Sequence, residues 1–155
     1  MTITVGSNNY KFSMSNDEQS WTSEVLVRDR KVEIEIDKRT YKQENVDWGL
    51  VKDFIGFINK SEIVSDLVNE SILPLRKLAD AFWRKNKNEV KDYEMKFTGI
   101  YFHGVLDSES TNLYSYSLIF NFLAIRDNRI FGDEYGLYLA EIEHLNIVSV
   151  RRIQL

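Results

Sequence analysis

The chain has no cysteine, one proline, two histidines and seven glycines in its 155 residues, and each scarcity removes some chemistry. Without cysteine there is no disulfide, no thiolate metal site and no cysteine nucleophile. A cysteine-free chain also suits a reducing compartment. The histidines are His103 and His144, and a zinc site would have to join both to Asp107 or Glu143. No close-spaced ligand pair exists, so no metal is expected. The sequence contains no G-x-S-x-G elbow and no glycine-rich phosphate loop, so no cofactor is expected either. Apolar runs are short as well. The longest, "YSLIFNFLAI" at 116–125, is about half of what a bilayer span requires. The opening "MTITVGSNNYKF" lacks a basic region followed by an apolar one and does not read as a signal peptide. These features predict a soluble, single-domain protein of the cytoplasm, acting away from membranes.

What is present suffices for a core. Apolar residues make up 43% of the chain and aromatics 13%, so a packed domain rather than disorder is expected. The net charge of −4 runs against the basic balance of a nucleic-acid binder.

The first forty residues read as a β-meander. Period-two alternation runs through 3–5, "YKFSM" (10–14), "WTSEVLV" (21–27) and "KVEIEID" (31–37). Turn-forming stretches at 6–9, 15–17 and 28–30 separate these strands. From Asp47, a candidate N-cap, the period becomes helical through Leu50, Val51, Phe54, Ile55 and Ile58. A second helical pattern follows Ser61, through Val64, Leu67 and Val68 to Leu75, Leu78 and Phe82. Pro74 interrupts it, predicting either a kink or two helices with the proline in the first turn of the second. Strand patterns return at 93–103, 113–125, 135–143 and 147–153, with a tight hairpin at His144-Leu145-Asn146. The expected class is α+β: an antiparallel meander, two to three central helices, then a C-terminal antiparallel strand group, with the helices packed on one sheet face.

Candidate chemistry is mostly carboxylate. In "KVEIEID", Val32, Ile34 and Ile36 share one strand face, and Glu33, Glu35 and Asp37 share the other. "GDEYG" places Asp133 and Glu134 beside two glycines and Tyr135. Glu141 and Glu143 share a strand face. Carboxylates at i and i+2 on a strand meet the spacing of a glycosidase pair trivially, so that spacing carries no specificity. Between 107 and 143 there are seven acids against two arginines. If the two strand groups share a sheet, these acids and those of "KVEIEID" form a broad acidic surface, which would speed encounter with a basic partner. Tyr101, Tyr114, Tyr116, Tyr135 and Tyr138 could line a stacking platform or an interface, although strand propensity alone explains most tyrosines in a sheet. Phe97, Phe120, Phe122, Trp48, Phe82 and Trp83 are expected in the core. Arg151 and Arg152 fall on opposite strand faces, and one of them is expected to pair with Glu141 or Glu143 across the last hairpin.

The helical segment from "VDWGLVKDFIGFI" onward and the strand pair ending "EYGLYLAEIEHLNIVSVRRI" resemble small bacterial domains, some of which act as immunity proteins in polymorphic-toxin systems. The resemblance covers the C-terminal two-thirds and carries over no functional residue, because no defining motif is matched. It implies a compact, acidic, cysteine-poor α+β protein that binds a toxin domain and blocks it. The expectation is therefore a non-enzymatic protein-binding domain whose partner has a basic surface. The partner-binding candidates are Glu33, Glu35, Asp37, Asp133, Glu134, Glu141 and Glu143, with Tyr135 and Tyr138 as anchors. The alternative is a small-ligand or carbohydrate-acting domain using Asp133, Glu134 and neighbouring tyrosines, which would need a concave site of roughly 300 Å³ or more.

Overall fold

The computed structural model describes residues 1–16, 19–27, 30–37, 46–60, 62–85, 92–107, 110–126, 129–132 and 136–154. In chain order the elements are β1 (Thr2–Val5), β2 (Asn8–Lys11), β3 (Ser13–Met14), β4 (Ser20–Val27), β5 (Arg30–Asp37), α1 (Trp48–Lys60), α2 (Glu62–Lys85), β6 (Asp92–Asp107), β7 (Ser110–Arg126), β8 (Arg129–Gly132), β9 (Gly136–Glu143) and β10 (Asn146–Gln154). Of the residues singled out above, Asp133, Glu134 and Tyr135 lie outside the described residues, as do the side chains of Asp37, Trp83 and Asp107.

The alternation of "KVEIEID" is realised in β5. Val32, Ile34 and Ile36 are buried, Glu33 is exposed and Glu35 is half-exposed. Asp47 caps α1 as its position predicts: the Leu50 amide donates to Asp47 Oδ1 at 3.1 Å, and the Val51 amide donates to the Asp47 carbonyl at 3.1 Å. This satisfies amides that the first turn would otherwise leave unpaired.

Pro74 does not divide α2, which runs from Glu62 to Lys85 with the proline inside it. The reading of two helices is therefore corrected. Pro74 is half-buried and its neighbours Leu73 and Glu70 are exposed, so the Glu70 carbonyl that loses its partner can be hydrated. Leu67, Leu75 and Ala79, all buried, anchor the helix on both sides of the proline.

The α+β class is as expected, with an eight-stranded sheet in the order β10-β9-β7-β6-β5-β4-β3 and β8 paired to β7. Four details depart from the expected layout. β1 and β2 form a separate two-stranded sheet that packs on α1. The expected strand at 10–14 breaks at Phe12, whose amide donates to the Met1 carbonyl at 2.8 Å while its ring meets Trp48 edge-on. β5 and β6 run parallel, with Glu33 opposite Gly99 and Ile36 opposite Phe102. Parallel neighbours need a long crossover, and α1 and α2 supply it. Finally, Arg129–Gly132, read from sequence as part of a connecting stretch, is a strand.

One buried cluster joins Ile34 and Ile36 to Phe54, Ile58, Leu67, Phe102 and Tyr116. Phe54 of α1 stacks on Phe102 of β6 with ring centroids 4.1 Å apart. Both helices bury their apolar residues against this sheet face. Ile119 and Leu139 are also buried but lie outside that cluster, on the opposite face.

Candidate functional site

Strand register decides which side chains share the face away from the helices. Across one row run Glu24, Glu33, Gly99, Ile119, Leu139 and Arg151, each opposite the next. The adjacent row is Thr22, Glu35, Tyr101, Ser117, Glu141 and Ser149. Glu143 lies opposite Ser115, which shares the face of Ser117. The acids of β5 and β9 therefore do occupy one face. Glu35 and Glu141 are three strand spacings apart, or about 14 Å.

These carboxylates are not equivalent. Glu141 is held by β10: Arg151 Nη2 lies 2.8 Å from its Oε1, and the Ser149 hydroxyl donates to its Oε2. The pairing expected for one of the twin arginines is thus made by Arg151. Glu24 pairs with Lys31 at 3.5 Å, with both side chains well exposed, so that pair contributes little. Glu33, Glu35 and Glu143 have no ion-pair partner among the described residues. Tyr101, half-exposed, stands between Glu35 and Glu141. In the same row Ser117 is fully buried and its hydroxyl lies 2.7 Å from His103 Nε2.

Tyr101, Tyr114, Tyr116 and Tyr138, the platform tyrosines among the described residues, do not share one face. Tyr114, Tyr116 and Tyr138 are buried and face the helices, and of these four only Tyr101 is on the acidic face. Tyr138 is fully buried with its ring 5.9 Å from Phe122, so it is core and not a surface anchor. The signal was in the sequence: Tyr138 has the opposite strand parity to Glu141 and Glu143, so outward acids require an inward tyrosine.

Composition and spacing gave no hint of the groove on the helix side of the molecule. Its volume is about 560 Å³. Lys52, Asp53, Gly56, Phe57 and Lys60 of α1 form one wall, and Val5 and Gly6 from the β1–β2 turn form another. Tyr114 and His144 close it. Gly6 makes its turn at φ +60°, where a side chain is disfavoured. Burial, and then the carboxylate of Asp53, raise the pKa of Tyr114, so its hydroxyl stays protonated and available as a donor.

His144 is the unusual member. It takes φ +57° at the corner of the β9–β10 hairpin, a conformation that glycine adopts freely and that costs other residues about 1–3 kcal/mol. Hydrogen bonds hold it there: its amide donates to the Tyr114 carbonyl at 2.7 Å, and its carbonyl accepts from the Tyr116 hydroxyl at 3.3 Å. Among the described residues neither ring nitrogen has a partner, and Nδ1 is shut off from solvent. No group of three or more His, Asp or Glu residues suited to a metal ion occurs among the described residues. None of their helices is long and apolar enough to cross a membrane.

The chain matches no protein-family model, no curated protein and no solved structure, so its functional reading stands on geometry and chemistry.

Proposed function

We propose that the protein is a non-enzymatic binding domain of the cytoplasm that docks a basic protein partner on the sheet face opposite the helices. The observation that carries this reading is the convergence of Glu33 and Glu35 from β5 with Glu143 from β9 on one face, none of them ion-paired among the described residues. Unneutralised carboxylates on a broad face accelerate encounter with a positive surface. Tyr101 lies amid them and replaces Tyr138 as the aromatic anchor; tyrosine is favoured at such positions because it adds contact area at low entropic cost. Inhibition of a toxin domain is the most concrete form of this function, following the resemblance to immunity proteins.

The test begins with capture of the partner from the native cell, followed by stopped-flow association at two salt concentrations. The on-rate should fall as salt rises, because exposed charges are screened over about 8 Å at physiological ionic strength. Reversing Glu33 and Glu35 to Lys should lower the on-rate severalfold with the fold intact. Replacing Tyr101 with Ala should instead raise the off-rate. Binding indifferent to salt and to both changes would eliminate this face as the docking surface.

A further inference from the structure

The groove between α1 and the β9–β10 turn is independent of the acidic face and has the opposite electrostatic character. Lys52 and Lys60 stand eight residues apart on α1, separated by about 12 Å along the helix axis. Both are exposed and neither is ion-paired among the described residues. Two uncommitted ammonium groups on one groove of a chain with net charge −4 mark a local positive site. Gly56 lies midway between them, one helical turn from each, and lines the groove opposite Val5, whose Cγ1 would stand 3.8 Å from a Cβ placed there.

His144 adds directionality. A buried N–H without a partner is costly, so the shut-off Nδ1 favours the tautomer that carries its proton on Nε2. Nε2 then has an unused donor. It sits on a hairpin corner where glycine would be easier, with the backbone clamped to Tyr114 and Tyr116. The remaining wall is aromatic: Phe57 is half-exposed, and its ring centroid is 5.1 Å from that of Tyr114. Ammonium groups, an imidazole donor and a flat apolar wall suit a ligand that has a compact anion at one end and a planar ring at the other. A volume of about 560 Å³ is within the usual range for small-molecule sites.

We propose that this groove binds a small aryl phosphate monoester, with the phosphate held by Lys52, Lys60 and His144 and the ring laid against Phe57. Lysine is a standard point-charge partner for phosphate, and a dianion matches two of them. Asp53 is the one carboxylate of the groove among the described residues, and it opposes the anion.

With only two histidines in the chain, NMR of the imidazole resonances gives a direct test on the full protein. Phenyl phosphate is titrated, with inorganic phosphate and phenol as controls, and the resonances are assigned by His103→Asn and His144→Asn. Phenyl phosphate should shift the His144 resonances saturably and leave those of His103 in place. Lys52→Ala combined with Lys60→Ala should weaken binding at least tenfold without disturbing the free-state spectrum, because both side chains are exposed. Asp53→Asn should tighten binding. The proposal is overturned if no saturable shift appears at millimolar ligand, if both histidines respond alike, or if the double lysine variant binds as before. Phenol binding as tightly as phenyl phosphate would overturn the anion assignment, and inorganic phosphate doing so would overturn the aryl assignment.

Discussion

The guanidinium carbon of Arg152 lies 4.0 Å from the centre of the Phe82 ring, joining the last strand to the last turn of α2. Its neighbour Arg151 faces the other way and pairs with Glu141 at 2.8 Å. Successive strand residues address opposite faces. One dipeptide therefore ties β10 to a helix on one side and to the carboxylate row on the other. The strand beside it makes room: a Cβ at Gly136 would stand 2.5 Å from Arg152 Nη2.

Gly136→Ala should push the Arg152 side chain off Phe82. The cation–π contact is worth about 0.5–2 kcal/mol, and the loss should be of that order. In a Phe82→Leu background the same change should cost clearly less, because the contact is already gone. Urea denaturation of the four proteins of the cycle measures the coupling, and strict additivity would show that Arg152 is not held by the ring.

Phe54 is the centre of the helix–sheet contact. It stacks on Phe102 and lies 5.2 Å from the ring centroids of both Tyr114 and Tyr116. Phe54→Ala should destabilise the protein by about 3–5 kcal/mol, and Phe54→Leu by less. Equilibrium unfolding checks both, and a loss below about 1 kcal/mol for the alanine variant would contradict the packing described.

Asp47→Ala should cost about 0.5–2 kcal/mol through loss of the cap on α1. Asp47→Asn or Asp47→Ser should retain most of the stability, because either side chain can accept from the Leu50 amide. Thermal denaturation of the three variants distinguishes a cap from a purely electrostatic role, in which Asn and Ser would behave like Ala.

Alkaline pH should unfold the protein through its inward tyrosines. Burial raises the pKa of Tyr116 far above its ordinary value, and burial followed by Asp53 raises that of Tyr114. Unfolded tyrosines lose their protons near pH 10 while the folded ones retain them, so stability is full below about pH 10 and falls as the pH rises above it. Tyr116→Phe should be slightly less stable than the parent at neutral pH, having lost the hydrogen bond to the His144 carbonyl. Its disadvantage should shrink or reverse by about pH 11. Denaturant unfolding at the two pH values, with phenolate absorbance as a second probe, reads this directly, and an unchanged gap would mean that Tyr116 titrates normally in the fold.

Much of this architecture was legible locally. The alternation that buries Ile34 and exposes Glu33, the helical period from Leu50 to Ile58 and the cap at Asp47 each need only neighbouring residues, so the sequence alone determines them. Strand parity also carried the inward orientation of Tyr138, once Glu141 and Glu143 were taken as outward. Pro74 shows where local rules stop: its cost to a helix is real, but buried contacts at Leu67, Leu75 and Ala79 hold α2 together across it. Tertiary structure alone decided the rest. Which strands neighbour each other depends on the crossover through α1 and α2, which sets β5 parallel to β6 and brings Glu33 and Glu35 onto the face of Glu143. The groove draws on Gly6, Lys52, Tyr114 and His144, whose order in the chain says nothing of their proximity. Periodicity reports the solvent-facing side of one element, whereas a site between elements exists only after long-range packing has brought them together.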